Sequence, residues 1–268
     1  MLSDHDEFER AYRLRPGQVL RRIKPPFLEG RLDFYRKASP SQANSLPNGP
    51  ATMFLTWKNG ELSERAWGMA FGKGLRNVEM LLEAVLNVFP QDVEGDVGLL
   101  NSEILGDFLF RQDAMEEEYL RALEEIAGDE FKCAFRLSLR EVDAVVIILR
   151  GKWQYEPVDE IARGRKCIEH FGRELNTRRE GNGGGSGDAK RWAKHLGRCI
   201  NQQIIVEGEG VPERIRWCHN DRGDDTDESR RLAHDPQLVL SHIREQTELI
   251  PSFEARRVRR LLVERLSK

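Results

Sequence analysis

Between residues 115 and 149 the spacing of apolar residues changes from the period of a helix to that of a strand, and this switch constrains the fold most. Met115, Tyr119, Leu123 and Ile126 fall three or four residues apart, and Glu116, Glu117, Glu118, Glu124 and Glu125 fill the opposite side. From Cys133 onward the pattern alternates strictly. Cys133, Phe135, Leu137 and Leu139 lie on one face, and Arg136, Ser138 and Arg140 on the other. Asp113 and Glu116 have the D-x-x-E order of a capping box, which places the helix start there. Gly106 to Arg111 reads as a strand before the helix. Glu141-Val142-Asp143 is expected to turn the chain into a buried β-branched strand, Val145 to Leu149. The segment reads as a β-α-β-β unit.

The order of helix, strand, turn, strand recurs weakly. Asp235-Pro236 offers an N-cap and a preset first helical residue, and Val239, Leu240, Ile243 and Thr247 share one face beyond it. Ser252 to Arg256 and Val258 to Arg265 then read as a final hairpin. Upstream, Asp188 can cap a helix whose stripe is Ala189, Trp192, Ala193, Leu196, Cys199 and Ile200, with strands following at Gln203 to Glu207 and Glu213 to His219. Nearer the start, strands are expected at Thr52 to Trp57 and around Ala66 to Phe71, with a helix from Leu75 to Val88 that Pro90 ends. Sheets with one bare face need helices to cover them. The expected fold is therefore α+β: small antiparallel sheets with covering helices, in repeated β-α-β-β-like modules. Three regions are expected, at 1–95 with an Arg/Pro-rich start, 96–158 and 159–268.

Composition narrows the function class. Charged residues are 32% of the 268, above the usual quarter, which fits several small modules better than one thick domain. Lys and Arg number 42 against 45 Asp and Glu, a net charge of −3, so a dedicated nucleic-acid protein is not expected. Local basic stretches remain: Arg10, Arg13, Arg15, Arg21, Arg22 and Lys24 near the start; ten Lys/Arg against five acids in 160–200; six against two in 251–268. No run approaches the ~18 apolar residues of a membrane span. Met1-Leu2-Ser3-Asp4-His5-Asp6 lacks the order of a signal peptide, so a cytoplasmic location is expected, with export open if translation starts upstream.

Two resemblances add to this reading. Residues 188–268, through Trp192-Ala193-Lys194-His195-Leu196, Gln203-Ile204-Ile205-Val206-Glu207, Pro236-x-x-Val239-Leu240-x-x-Ile243 and Gln246-Thr247-Glu248-Leu249, resemble the short N-terminal module of secretins and TonB-dependent receptors. In that family a T-G-L triplet precedes the last hairpin, and Glu248 stands here in place of its glycine. The resemblance implies helix, strand, strand, helix, strand, strand, and it implies docking to partner proteins or to further copies rather than catalysis. Gly106-Asp107-Phe108, Leu139-Arg140-Glu141-Val142, Gly183-Gly184-Gly185-Ser186-Gly187 and His234-Asp235-Pro236 together resemble an uncharacterised bacterial family of the kind common in planctomycetes, which implies no activity.

Each candidate site has a plainer reading beside it. Cys167-x-x-His170, with Cys199 and Cys218-His219, offers zinc ligand types, but not at the spacing of a compact finger. Without a CxxC pair, Cys133, Cys167, Cys199 and Cys218 read as buried thiols. A nucleophile would need Cys167 or Cys218 beside a convergent histidine and an orienting acid. Gly181 to Gly187 lacks the phosphate-loop order and reads as a flexible linker. Asp221, Asp224, Asp225, Asp227 and Glu228 do not match a calcium loop and read as solvated. Arg257, Arg259 and Arg265 read as the charged face of a last strand. Trp57, Trp67, Trp153, Trp192 and Trp217 read as core or interface anchors. No catalytic residue and no cofactor is implied. The expected function is a non-catalytic interaction or scaffold module that docks a protein partner or a second copy, self-association running through an exposed strand edge. The alternative is a small-ligand or metal-binding enzyme with a cleft near 167–219, and nucleic-acid binding through the basic segments ranks third.

Overall fold

Two strands of 17 residues each, β7 (Ala134–Arg150) and β12 (Ile250–Leu266), are the longest elements among the described residues. The computed structural model describes residues 10–28, 53–58, 61–62, 67–68, 77–156, 167–171, 183–219 and 235–266. Among these, the remaining strands are β1 (Leu20–Ile23), β2 (Met53–Lys58), β3 (Glu61–Leu62), β4 (Trp67–Gly68), β5 (Val93–Gly95), β6 (Asp107–Arg111), β8 (Ile168–Glu169), β9 (Gly183–Gly187), β10 (Ile204–Val206) and β11 (Ile215–His219). The helices are α1 (Val78–Leu86), α2 (Glu116–Phe131), α3 (Ala189–Ile200) and α4 (Pro236–Thr247). The fold is α+β. Its sheets are mixed rather than antiparallel, because β2 with β6, β8 with β11, β7 with β10 and β5 with β12 all pair in parallel.

No hairpin forms where one was expected, at Glu141-Val142-Asp143 or at Arg256-Arg257-Val258. Both stretches lie inside single strands, and along 141–145 and 253–259 exposure alternates residue by residue. The charges that read as turn residues are the solvated face of a strand, and neither stretch has the glycine or asparagine that a tight turn at positive φ demands. The β-α-β-β repeat therefore becomes a helix followed by one long strand, α2–β7 and α4–β12. Both helices end on a left-handed residue, Lys132 at φ 54° and Glu248 at φ 57°. Asp235 caps α4 by accepting from the Gln237 and Leu238 N–H groups, and Asp188 caps α3 by accepting from Arg191 N–H at 2.8 Å. Asp113 does not cap α2. The helix begins after Met115, whose N–H donates to the Glu118 carboxylate at 2.9 Å.

Two compact units divide the chain, and neither is continuous in sequence. The first comprises Met1–Phe89, Val93–Arg140 and Arg260–Lys268; the second comprises Pro90–Asp92 and Glu141–Arg259. In the first, strand alternation gives one sheet two different faces. The sheet runs β1-β6-β2-β3, with β4 also on β2. Leu20, Phe54 and Phe108 enter the main core with Leu81 and Leu82 of α1, Tyr119, Leu120 and Leu123 of α2, and Phe135 and Leu137 of β7. Each such side chain contributes roughly 1.5–3 kcal/mol when fully buried. The other face carries Leu55 and Leu109, which pack with Tyr12. Tyr12 and Asp107 are both fully buried, and the tyrosine hydroxyl donates to the Asp107 carboxylate at 2.7 Å. That bond and the packing around it anchor residues 10–19 over the sheet.

In the second unit β11 lies between β8 and β9. Trp192, Ala193, Leu196 and Ile200 of α3 and Val239, Leu240 and Ile243 of α4 form its core with Ile147, Leu149, Ile215 and Trp217. Gln246, fully buried at the end of α4, completes the pairing of β8. Its amide oxygen accepts from Glu169 N–H at 2.9 Å and its amide nitrogen donates to Glu169 C=O at 2.7 Å.

Candidate functional site

Strand geometry sorts the basic residues near the start of the chain into two groups. Successive side chains of β1 point to opposite faces. Arg22 turns toward α2, where Nη1 donates to Glu130 at 2.5 Å and Nε to the Leu105 carbonyl at 2.8 Å. Lys24 pairs with Asp129. Arg21 faces the other way, onto the Tyr12 side of the sheet, and its Nη1 donates to the Arg13 carbonyl at 2.8 Å. Between Arg13 and Arg21 the chain reverses in a turn closed by Gln18 N–H to Arg15 C=O at 3.0 Å. Pro16 and Gly17 hold the central positions, with Gly17 at φ +80°. Proline followed by a residue at positive φ defines a type II turn, and glycine takes that conformation without strain.

This turn and the sheet border an open cleft of about 690 Å³. Arg10, Arg13, Arg15, Arg21 and Arg111 line it, with Trp57 and the apolar side chains of Leu14 and Pro16. Trp57 and Arg111 are register partners in the parallel β2–β6 pair, so they stand side by side on one face. Among the described residues one carboxylate, Asp113, faces five guanidinium groups in the lining. Burial, and then the charge of neighbouring Arg15, pull the Arg21 pKa below the ordinary arginine range. The group remains a cation, because arginine keeps its proton throughout the accessible pH range. Trp57 is half-buried, and its indole N–H is buried without a hydrogen-bond acceptor among the described residues. Planar guanidinium forks match phosphate and carboxylate oxygens two at a time. Chemically, this arrangement can hold an anion.

The cysteine–histidine candidates fall in the second unit. The β8–β11 pairing brings the backbones of residues 167–170 and Cys218 together, with His170 N–H donating to Cys218 C=O at 2.9 Å. The His170 ring is fully buried, with its Nε2 3.2 Å from Trp192 Nε1 and its Nδ1 3.5 Å from Cys199 Sγ. An indole nitrogen only donates, so Nε2 must accept and the ring proton sits on Nδ1, facing the sulfur. Cys199 Sγ in turn donates to the His195 carbonyl at 3.3 Å. With both nitrogens so engaged, His170 is not placed to take a proton from Cys199. The thiol beside the His170 ring nitrogen is Cys199. Cys167 is buried and its carbonyl accepts the Tyr155 hydroxyl at 2.7 Å. The His219 side chain lies outside the described residues. Among the described residues no group of three or more His, Cys, Asp or Glu is arranged to hold a metal.

Gly183 to Gly187 is a strand rather than a linker, paired with β11 along its whole length. A Cβ at Gly184 would lie 2.5 Å from the Trp217 carbonyl oxygen, and one at Gly185 would lie 2.7 Å from the Trp217 ring. The absence of side chains lets the Trp217 indole lie across its strand partner. The acidic loop, 221–228, and residue 181 fall outside the described residues. Arg257 and Arg259 sit on the exposed face of β12, whereas Arg265 bonds Asp96 at 3.0 Å and lies over the Phe135 ring at 5.5 Å. No described helix is long and apolar enough to cross a membrane. Sequence reading recorded the basic start but not the site it forms. No strand is expected from the sequence at Leu20–Ile23, so the opposite facing of Arg21 and Arg22 was not legible, and the approach of Trp57 and Arg111 depends on a parallel pairing across the 48 residues between β2 and β6. No protein-family model, no curated protein and no solved structure matches the chain.

Proposed function

We propose that the chain is a non-catalytic binding module whose recognition site is the arginine-lined cleft of the first unit, where it takes the anionic groups of a ligand or docking partner. The observation that carries this reading is that, among the described residues, five guanidinium groups and one carboxylate line a single concavity, in a chain of net charge −3. A surface that merely keeps a protein soluble intersperses both signs, whereas this one concentrates cations where low-dielectric walls focus their field. The docking role implied by the secretin-type resemblance of residues 188–268 supports the same class. The described elements over this stretch run α3, β10, β11, α4, β12, with one strand where the resemblance implies a hairpin. The alternative, a small-ligand or metal-binding enzyme with a cleft near 167–219, would have to use a His170 ring that meets Trp192 Nε1 on one side and Cys199 Sγ on the other.

The test is calorimetric titration of the full chain with inorganic tripolyphosphate across a range of sodium chloride concentrations. One site is expected, with an affinity that falls steeply as salt rises, because the attraction of partly exposed charges is screened. Absence of binding at low salt would overturn the proposal.

A further inference from the structure

The cleft is far larger than one phosphate or carboxylate requires. At about 690 Å³ it lies in the range of sites that hold whole organic ligands, roughly 300–1,000 Å³. Its lining is also of three kinds. The arginines supply paired donors for oxyanions. Trp57, with Leu14 and Pro16, supplies apolar surface, and Asp113 supplies an acceptor among the cations. A simple polyanion would leave the tryptophan unused and would be repelled by Asp113. The Trp57 ring packs against the Tyr12, Leu55 and Leu109 cluster and also borders the cleft, and its N–H has no acceptor among the described residues.

Resting on the anion-binding reading of this cleft, we propose that its ligand is a nucleoside di- or triphosphate, with phosphates on the arginines, base against Trp57 and sugar hydroxyls within reach of Asp113. Aromatic side chains stack any base through its π-face, and arginine planes assist. A carboxylate that accepts from hydroxyl groups is a recurrent means of holding ribose. A nucleic-acid strand fits less well. It needs a basic groove that continues along the backbone, whereas among the described residues the lining cations come from residues 10–21 and one position of β6, gathered around a single concavity. An acidic peptide carries neither a flat body for Trp57 nor a dense charge for five guanidinium groups.

The experiment compares ATP, inorganic tripolyphosphate and an oligoglutamate peptide as ligands of the full chain, by calorimetry in metal-free buffer, with Trp57→Leu and Trp57→Phe alongside. ATP is expected to bind roughly tenfold more tightly than tripolyphosphate, the scale of one base–aromatic stack. That ratio should fall toward one in Trp57→Leu and persist in Trp57→Phe, which keeps a ring and shows that the site still forms. Equal affinity of the wild type for ATP and tripolyphosphate would overturn the nucleotide assignment and leave the anion site standing. Preference for oligoglutamate would do the same. Failure of all three to bind would overturn both.

Discussion

Gly185 shows how much one missing side chain decides. The Trp217 indole lies over it, so a side chain there must displace the ring or separate β9 from β11. Gly185→Val is expected to destabilise the second unit by about 2–3 kcal/mol, the scale of overpacking. Gly128→Ala, inside α2, meets only ordinary contact at 3.5 Å and should stabilise by about 0.5–1 kcal/mol. Urea unfolding of the two variants checks the contrast, and equal effects of the same sign would refute it. Tyr119 gives a test against pH. Burial first, and the nearby Asp113 charge second, push its hydroxyl up to about 12 from its ordinary value of 10.0. Unfolding frees the hydroxyl to lose its proton near pH 10, whereas the folded form keeps it until about 12, so the unfolded chain binds fewer protons across this window. The contribution is complete below pH 10 and is lost as pH rises through about 12, amounting to about 2 kcal/mol. Tyr119→Phe should flatten that part of the stability profile, and an unchanged slope would contradict the assignment.

Helix ends and long strands show what could be read ahead and what could not. Caps at Asp188 and Asp235 were legible because a side-chain oxygen one residue before an apolar stripe has few other uses. Asp113 misled because a second acidic residue, Glu118, satisfies the α2 start from inside the helix. The turns expected within β7 and β12 failed for another reason, since charge alternating with apolar residues marks a solvated strand face as well as a loop. Glu248 carries a prediction at this level. It ends α4 at φ 57°, in the left-handed region where a Cβ is crowded and glycine is the usual residue. Glu248→Gly should therefore raise stability by about 0.5–1 kcal/mol in thermal or denaturant unfolding, and a loss of stability would show that the Glu248 side chain does more than cap.

The arginine cleft draws its lining from three separate stretches of chain. Residues 10–21 supply four arginines and the turn, β2 supplies Trp57, and β6 with the residue pair after it supplies Arg111 and Asp113. The basic start was legible, but its meaning was not, because pairing order and register, which put Trp57 beside Arg111 and turn Arg22 away from Arg21, follow from the assembled sheet. Assembly also decides the surroundings of the cysteine–histidine cluster. Its members are near one another, but His170 is committed to Trp192 and Cys199. The measurement that tests the cleft most directly is tripolyphosphate affinity in Arg13→Gln/Arg15→Gln beside Arg257→Gln/Arg259→Gln. The two double variants remove equal charge, the first from the cleft and the second from the exposed face of β12. A loss of roughly tenfold or more is predicted in the first, on the scale of a hydrogen bond to a charged group, with little change in the second. Equal losses in both would mean that the chain attracts anions through its overall field and that the cleft is not their site.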